Sequence, residues 1–320
     1  MTPRAIGSAI EIWERWQLKG DTLPLDRIVN EEVRTRRYLN SRERRWVTDT
    51  LYLCVRLKTR QETICTTMGL PITPENLIRS TLLENDTEEG QQAYRQAVAQ
   101  LPTPSEPSAY LRTTLSFPEF MAQELEAQFG EEAVAAGEAL NTQAPTVLRI
   151  NPLRTTRERV LQQIPTATPT TYSPYGVVLS KREPVQNLPY YKEGWFEVQE
   201  ESSQLAVLFA GVKPDQTVVE VGAGGGGKSV ALACEMRNRG KIFALDTSEL
   251  RLNALEKRLP RACVKIVQAV TLKADPNGAW HNNPWLIGGR HAETADVVFL
   301  DAPCTGSGTL RRNPDKKWFG

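Results

Sequence analysis

The stretch TVVEVGAGGGGKSVALACEM, residues 217–236, decides the fold class of this chain. Its short apolar run, 217–221, predicts a buried β-strand, and its last seven residues predict a helix. Five of the six residues at 222–227 are glycine. Glycines at a strand-to-helix turn let the backbone approach a ligand, and the first amides of the helix stay free to bind it. A turn without a ligand has no need of so many glycines. The pattern therefore predicts a ligand-binding α/β domain.

Three further apolar runs follow this stretch and extend the predicted sheet. KIFALD, residues 241–246, ends in Asp246, 20 residues after Gly226, where an acid can hydrogen-bond ribose hydroxyls. Asp246 could instead cap the amphipathic helix SELRLNALEKRL that follows it. CVKIVQ, residues 263–268, predicts a third strand, and DVVFL, residues 296–300, predicts a fourth. Strands that alternate with helices in this way indicate a parallel sheet.

The fourth strand runs directly into Asp301-Ala302-Pro303-Cys304 and a Gly-Ser-Gly segment. Open parallel sheets bind ligands at the carboxyl ends of their strands, which favours a functional thiol at Cys304 over inert packing. The same region also satisfies the phosphate-binding P-loop pattern through Gly222, Gly227, Lys228 and Ser229, with Asp301 as a magnesium-binding acid. A P-loop enzyme, however, would need neither Asp246 nor the cysteine.

The N-terminal part has the apolar periodicity of helices over residues 1 to about 100. The segment from Arg34 to Arg60 contains nine basic residues and only two acidic ones, Glu43 and Asp49, and it also contains Tyr38 and Trp46. A basic face with aromatic residues suits a nucleic-acid backbone, although a solvated helix surface is an equal alternative.

Two proline-rich stretches divide the middle of the chain. The first, at 102–107, predicts a linker, and the helix after it is expected to begin with Ser116 as its N-cap. The second lies at 165–174. The alternation of strands and helices begins at about residue 186. These changes predict three regions, at 1–100, 109–185 and 186–320.

Bulk composition excludes several classes of protein. The net charge of +1 names no partner, and five widely spaced cysteines with two histidines disfavour a disulfide framework or a metal site. No apolar run is long enough for a signal peptide or a membrane span. We therefore expect a cytoplasmic protein without a metal cofactor and without a membrane partner.

Specific motifs give a family resemblance. DAPCTGSGTLRRNPDKKW, residues 301–318, resembles the fourth signature motif of the RsmB/NOP-type (Sun/Fmu-like) RNA cytosine-5 methyltransferases. GWFEVQEESSQLA, residues 194–206, resembles the segment before the first strand of that family. VLRINPLRTTRERVL, residues 147–161, resembles its upstream RNA-recognition region, and residues 1–100 resemble its NusB-like domain. The resemblance runs through nearly the whole chain.

The resemblance implies a Rossmann-like class I methyltransferase domain with an incomplete sheet, preceded by an all-α NusB-like RNA-binding domain and a small α+β recognition region. It implies transfer of a methyl group from S-adenosylmethionine to C5 of a cytidine in RNA, most plausibly ribosomal RNA, through a covalent cysteine–C6 adduct. Asp246 would bind the cofactor's ribose, Asp301 would lie between cofactor and cytosine, and Cys304 would help release the product. The remaining cofactor contacts implied are Gly222, Ala223, Gly224, Gly225, Gly226, Gly227 and Lys228, and the RNA contacts expected are Arg34, Arg36, Arg37, Arg44, Arg45, Arg149, Arg311 and Arg312.

This chain departs from the family pattern at three points. Gly224-Gly225 stand where the family has Ala-Pro, and Val270 stands where an acid is expected near the adenine, with Asp275 the nearest substitute. The family's nucleophile lies in a Thr-Cys-Ser segment roughly fifty residues beyond the fourth motif, which is beyond Gly320. We therefore expect a C-terminally truncated member. Three alternatives stay open: Cys304 as a substitute nucleophile, a P-loop nucleotide hydrolase, and a non-catalytic RNA-binding remnant.

Overall fold

The computed structural model describes residues 1–20, 22–82, 88–180, 184–273, 295–302 and 304–318. The chain forms two compact units, one of Met1–Ala144 with Thr305–Gly320 and one of Pro145–Cys304. These divisions do not coincide with the boundaries expected near residues 100 and 186, which stay predictions. None of the described helices is long and apolar enough to span a membrane.

The first unit is helical throughout its described part. Its helices are α1 (Pro3–Lys19), α2 (Leu25–Thr35), α3 (Ser41–Arg56), α4 (Lys58–Thr67), α5 (Pro74–Ser80), α6 (Glu88–Ala99), α7 (Pro107–Ala109), α8 (Glu119–Phe129) and α9 (Ala133–Asn141). Val47, Leu51 and Cys54 follow one another at helical spacing on α3, and all three are buried in the largest apolar cluster of this unit. The proline-rich stretch at 102–107 lies inside this unit.

The prediction that Ser116 caps α8 is wrong. The helix begins at Glu119 with Pro118 at the N-cap position, and Ser116 has a left-handed φ of 55°. Its hydroxyl accepts a hydrogen bond of 2.9 Å from the backbone amide of Arg60. The Ser116 hydroxyl therefore binds the amide of Arg60, which is distant along the chain, and does not cap the helix that follows it.

The segment after Cys304 packs into the helical unit through buried polar side chains. Lys317 is 2% exposed, and its Nζ donates to Oδ1 of Asn141 at 2.7 Å and to the carbonyl oxygens of Arg56, Leu115 and Ser116 at 3.1, 3.0 and 3.2 Å. The Arg56 guanidinium in turn donates to two backbone carbonyls of this segment. These bonds fix the segment by satisfying groups that would otherwise be buried without partners.

The second unit contains two sheets. Its strands are β1 (Thr146–Ile150), β2 (Ala167–Pro169), β3 (Gly176–Leu179), β4 (Phe196–Val198), β5 (Thr217–Val221), β6 (Lys241–Asp246), β7 (Val267–Thr271) and β8 (Val297–Leu300), and its helices are α10 (Arg157–Gln163), α11 (Glu201–Phe209), α12 (Gly227–Glu235) and α13 (Glu249–Ala262). β1 to β4 form an antiparallel sheet in the order β2-β3-β1-β4.

The other sheet is parallel, with the order β7-β6-β5-β8. The first strand along the chain, β5, therefore lies between the second and the fourth, which is the order of a Rossmann-like sheet. This confirms the predicted parallel sheet. On β8, Val298 and Leu300 are each 66% exposed, whereas β5 is buried at its centre.

The third strand lies four residues later than predicted. α13 continues through Pro260 to Ala262, and Cys263 ends it in a left-handed conformation with φ of 58°. The carbonyl of Ala262 accepts a hydrogen bond from Asn151, so the end of the helix has a tertiary partner that the local sequence does not show. Val270 consequently lies within β7, paired with Leu245. Asp275 lies outside the described residues.

Candidate cofactor-binding site

Three of the predicted site elements meet at one edge of the parallel sheet. Gly222 follows β5, Asp246 ends β6, and Asp301 follows β8. β5 pairs with both other strands in parallel register, so their carboxyl ends lie side by side. This edge is where open α/β sheets bind ligands.

The two ends of the glycine loop are fixed by positions that only glycine can occupy. Gly222 has φ of 83°, and a Cβ built there would stand 2.5 Å from the carbonyl oxygen of Asp301. Gly226 has φ of 81°, and its Cβ would stand 2.6 Å from the Leu255 side chain. The amides of Gly222 and Ala223 donate to the carbonyl of Leu245 at 2.8 and 3.0 Å. The backbone of the loop is therefore in close contact with Asp301 at one end and with Leu255 at the other.

The middle of the loop is open. A Cβ at Gly225 would meet nothing within 4 Å, and Gly224 has φ of 55°. The Gly224 amide donates to Oδ2 of Asp246 at 2.8 Å. The two glycines that replace the family's Ala-Pro thus leave space above the sheet edge that a ligand can occupy.

Asp246 joins the loop to the start of the next helix. The residue is 6% exposed, and its Oδ1 accepts a hydrogen bond of 2.8 Å from the backbone amide of Ser248. Ser248, not Asp246, is the N-cap of α13, since its side chain accepts from the amide of Arg251. Each carboxylate oxygen can accept a second bond, so Asp246 retains capacity for a ligand hydroxyl.

The side chains of Lys228 and Ser229 distinguish this loop from a P-loop. Lys228 Nζ lies 2.6 Å from Oδ2 of Asp301, with both side chains partly exposed. Ser229 is completely buried, and its hydroxyl donates to Oε2 of Glu220 at 2.5 Å. In a P-loop the hydroxyl at this position coordinates magnesium. A hydroxyl turned into the core cannot do so, which disfavours the nucleotide hydrolase.

Glu220, on β5 beneath the loop, was missed by the sequence reasoning. The residue is 1% exposed, and no described residue donates to its Oε1. Burial raises the pKa of Glu220 to about 7, and the charge of Asp301 adds to this effect, while the hydrogen bond from Ser229 and the charge of Lys228 oppose it. The available signal was a lone acid inside the apolar run TVVEV.

Cys304 is exposed and unpaired with any other cysteine among the described residues. It follows Asp301 closely along the chain, although Pro303 lies outside the described residues. In the part of the chain that the structure describes, no group of three or more His, Cys, Asp or Glu side chains could hold a metal ion.

The basic residues expected to bind RNA differ in their surroundings. Arg34, Arg37 and Arg45 are exposed on the helical unit. The other four on this unit are partly buried: Arg36 pairs with Glu11 and Glu32, and Arg44, Arg311 and Arg312 are the remaining three. The three exposed arginines are the most accessible to a phosphate backbone, and the RNA-binding role of all seven stays a prediction.

The assignment of Arg149 as an RNA-binding residue is wrong. Arg149 lies on β1, between β3 and β4, and is 2% exposed. Its Nε donates to Oε1 of Gln199 at 2.7 Å, and its Nη1 lies 3.5 Å from Sγ of Cys234 on α12. The side chain is enclosed between Gln199 and Cys234, which leaves it out of reach of RNA.

Comparisons with known proteins agree with this geometry. Residues 207–319 match the model of a family described as 16S rRNA methyltransferase RsmB/F, and residues 117–186 match a ferredoxin-like domain of RsmF/B-like methyltransferases. These two matches together cover more than half of the chain. A probable ribosomal RNA small subunit methyltransferase B from Synechocystis is 33% identical over 213 residues, which is 63% of this chain and 45% of that protein. The chain thus spans about half the length of the curated relatives it matches.

Solved structures show the same fold. The crystal structure of PH0851 has a TM-score of 0.73 at 23% identity, covering 99% of this chain and 78% of that chain. A methyltransferase homolog protein from Pyrococcus horikoshii has a TM-score of 0.54 at 26% identity, covering 67% of this chain and 68% of its own. These matches show the fold, and the two family models together with the curated relatives show that the chain belongs to the RsmB/NOP (Sun/Fmu-like) methyltransferase family.

Proposed function

We propose that this chain binds S-adenosylmethionine at the edge formed by β5, β6 and β8 and serves in methyl transfer to C5 of a cytidine in ribosomal RNA. The observation that carries the proposal is the convergence of the glycine loop, Asp246 and Asp301 at the carboxyl ends of three parallel strands. Curated relatives named as ribosomal RNA small subunit methyltransferases support RNA as the substrate.

The residues present fit this cofactor. Gly222 to Lys228 would hold it, because the loop offers free amides at the start of α12 and open space at Gly224 and Gly225. Asp246 would accept hydrogen bonds from the ribose hydroxyls, as acids at the end of the second strand do in Rossmann-like folds. When bound, the cofactor supplies an electrophilic methyl group.

The target cytosine would use the side of the site marked by Asp301 and Cys304. C5 of cytosine is a poor nucleophile until a thiolate adds at C6, which makes C5 an enamine-like carbon that can attack the methyl group. Loss of the C5 proton and expulsion of the thiol then restore the ring. We assign Cys304 to product release and the addition at C6 to a cysteine of the family's Thr-Cys-Ser segment. The base must leave its stack to reach such a site.

RNA contacts would come from the exposed arginines of the helical unit, Arg34, Arg37 and Arg45, through sequence-independent phosphate binding. We propose a NusB-like role for this unit on the basis of its all-helical architecture and of that basic surface. The antiparallel sheet of β1 to β4 would serve as the recognition region, and it overlaps the segment that matches the ferredoxin-like family model.

Calorimetric titration of the chain with S-adenosylmethionine and, separately, with ATP and magnesium tests the cofactor. We expect S-adenosylmethionine to bind and ATP not to bind. Asp246→Ala should weaken S-adenosylmethionine by roughly 100-fold, because two charge-assisted hydrogen bonds to ribose are lost. The matched control is Asp215→Ala, an exposed acid of the same unit. Unchanged affinity in Asp246→Ala would remove the ribose role.

Transfer of a labelled methyl group to ribosomal RNA, by a protein that carries this chain together with the family's Thr-Cys-Ser segment, tests the reaction. Label in 5-methylcytidine, identified after nuclease digestion, supports the proposed acceptor carbon, and label in any other nucleoside contradicts it. RNA binding that occurs without cofactor binding would favour a non-catalytic RNA-binding protein instead.

A further inference from the structure

The hairpin loop between β2 and β3, residues 170–175, presents an aromatic ring to solvent. Tyr172 in this loop is 75% exposed, whereas Ser173, the next residue, is 1% exposed. Single exposed aromatic residues are common on protein surfaces and by themselves indicate nothing. What distinguishes Tyr172 is how firmly the backbone that carries its ring is held.

Two side chains of α11 hold the tip of the loop. Oε1 of Glu201 accepts hydrogen bonds from the backbone amides of Tyr172 and Ser173, at 2.6 and 2.8 Å. Hydrogen bonds to a carboxylate are stronger than those between neutral groups. The Ser173 hydroxyl donates to Oε1 of Gln204 at 2.6 Å, and Gln204 is buried. The backbone of Tyr172 is thus fixed from the protein side, while its side chain is left in solvent.

The ends of the same loop are closed as tightly. The amide of Thr170 donates to the carbonyl oxygen of Gly176 at 3.1 Å, and a Cβ at Gly176 would collide with the Thr170 side chain. From α10, Nη1 of Arg157 donates to the carbonyl oxygen of Ser173 at 3.0 Å. A loop that is already ordered loses little conformational entropy when its exposed side chain binds a partner. The loop therefore presents the Tyr172 ring in a preorganised position.

An unpaired nucleobase is the partner that this arrangement fits. A base stacks on an open aromatic ring whatever its identity, because every base has a π-face. The Arg157 guanidinium places a positive charge at the loop, which suits a nucleic-acid backbone. An aromatic anchor of a protein interface would instead be surrounded by further apolar side chains, whereas the residues on either side of Tyr172, Thr171 and Ser173, are polar.

We propose that Tyr172 stacks on an unpaired base of the RNA that this chain binds, and that Glu201 is the positioning residue that holds the ring in place. This inference rests on the proposed function, which supplies RNA as the partner. It adds a base contact outside the residues assigned to the cofactor and to the target cytosine. The contact would lie within the segment that matches the ferredoxin-like family model.

Fluorescence anisotropy with a short single-stranded oligoribonucleotide, and with a duplex of the same composition, tests the stacking. Tyr172→Ala should weaken binding of the single strand roughly 5- to 150-fold, the range for one base–aromatic stack, and leave duplex binding unchanged. Tyr172→Phe should bind like the unaltered chain, and Tyr172→Leu should lose most of the affinity, because leucine is apolar but has no ring. The matched control is Phe209→Ala, which removes an exposed aromatic ring from the far end of α11 and should change neither affinity.

Glu201→Gln tests the positioning role with an effect of opposite sign to that of charge. Removing an acid from an RNA-binding surface strengthens binding when only charge matters. We expect weaker binding of the single strand, because the amides of Tyr172 and Ser173 lose their charged acceptor. In the Tyr172→Ala background the same substitution should no longer weaken binding, since no ring is left to hold.

Three results would overturn the inference while RNA remains the partner: unchanged affinity in Tyr172→Ala, an equal loss for single strand and duplex, or an equal loss in Phe209→Ala. Stronger binding in Glu201→Gln would overturn the positioning role. If the unaltered chain binds neither RNA, the proposed substrate fails and this inference fails with it. The Tyr172 effect in a chain that binds no S-adenosylmethionine would support the stacking and remove the proposed cofactor.

Discussion

Replacing Glu220 by glutamine should remove a large pH dependence from the stability of the second unit. The Glu220 carboxyl is buried beneath the glycine loop, and its pKa is raised to about 7. An unfolded chain has a glutamate pKa of about 4.3. The folded state therefore holds a proton that the unfolded state has lost between these two values. The difference corresponds to about 3–4 kcal/mol of unfolding free energy.

The sign follows from the direction of the pKa change. Because the folded pKa is raised, the contribution of Glu220 to stability is fully present below about pH 4, is lost as the pH rises toward 7, and changes little above that. Glu220→Gln cannot ionise, and its amide can still accept the Ser229 hydroxyl. The variant should therefore match the unaltered protein near pH 4 and exceed its stability at pH 8 by about 3–4 kcal/mol.

Hydrogen exchange of the β5 and β6 amides at several pH values measures this effect. It reports the opening of the second unit by itself, which avoids assuming that the two units unfold together. Asp215→Asn, which removes an exposed carboxylate, serves as the control. If the unaltered protein and Glu220→Gln show the same dependence between pH 5 and pH 8, then Glu220 is not buried in its neutral form and the reasoning fails.

Three further predictions concern the backbone, the buried lysine and the arginines. Gly222→Ala should destabilise the second unit by at least about 2 kcal/mol, since it combines a left-handed φ with a Cβ 2.5 Å from a carbonyl oxygen. Gly225→Ala should leave the stability unchanged or raise it by up to about 1 kcal/mol. Urea unfolding of both variants measures the difference, and similar losses of stability in the two would contradict the prediction. Lys317→Met should lower the unfolding free energy of the helical unit by about 2–3 kcal/mol, because four buried oxygens lose the ammonium group that donates to them. Hydrogen exchange of the α3 and α9 amides measures this loss, and unchanged exchange rates would refute the prediction. Arg37→Ala should weaken RNA binding and lower its salt dependence, while Arg149→Ala should reduce stability and leave the salt dependence unaltered; filter binding over a range of salt concentrations distinguishes the two outcomes.

Much of the candidate site could be predicted from local sequence. A run of glycines after an apolar strand encodes backbone conformations that other residues cannot adopt, and the structure uses them at Gly222 and Gly226. Acids at strand ends, Asp246 and Asp301, are placed by the strand period alone. Parallel pairing then brings them to one edge. These features depend on neighbours within a few residues, which is why the sequence shows them.

Partners distant along the chain decided the rest. The Ser116 hydroxyl accepts a hydrogen bond from an amide 56 residues away, and the Arg149 guanidinium donates to Gln199, 50 residues away. Neither residue therefore has the role that its local sequence predicted. The hydroxyl of Ser229 faces Glu220 and not the ligand edge, which distinguishes this loop from a P-loop with the same sequence pattern. The sequence by itself determined the parallel sheet and the glycine loop, because these follow from periodicity and from the backbone freedom of glycine, and its motifs indicated the family by resemblance. Only the tertiary structure decided which side chains are buried and which donors stay free, because burial and pairing depend on residues that folding brings together.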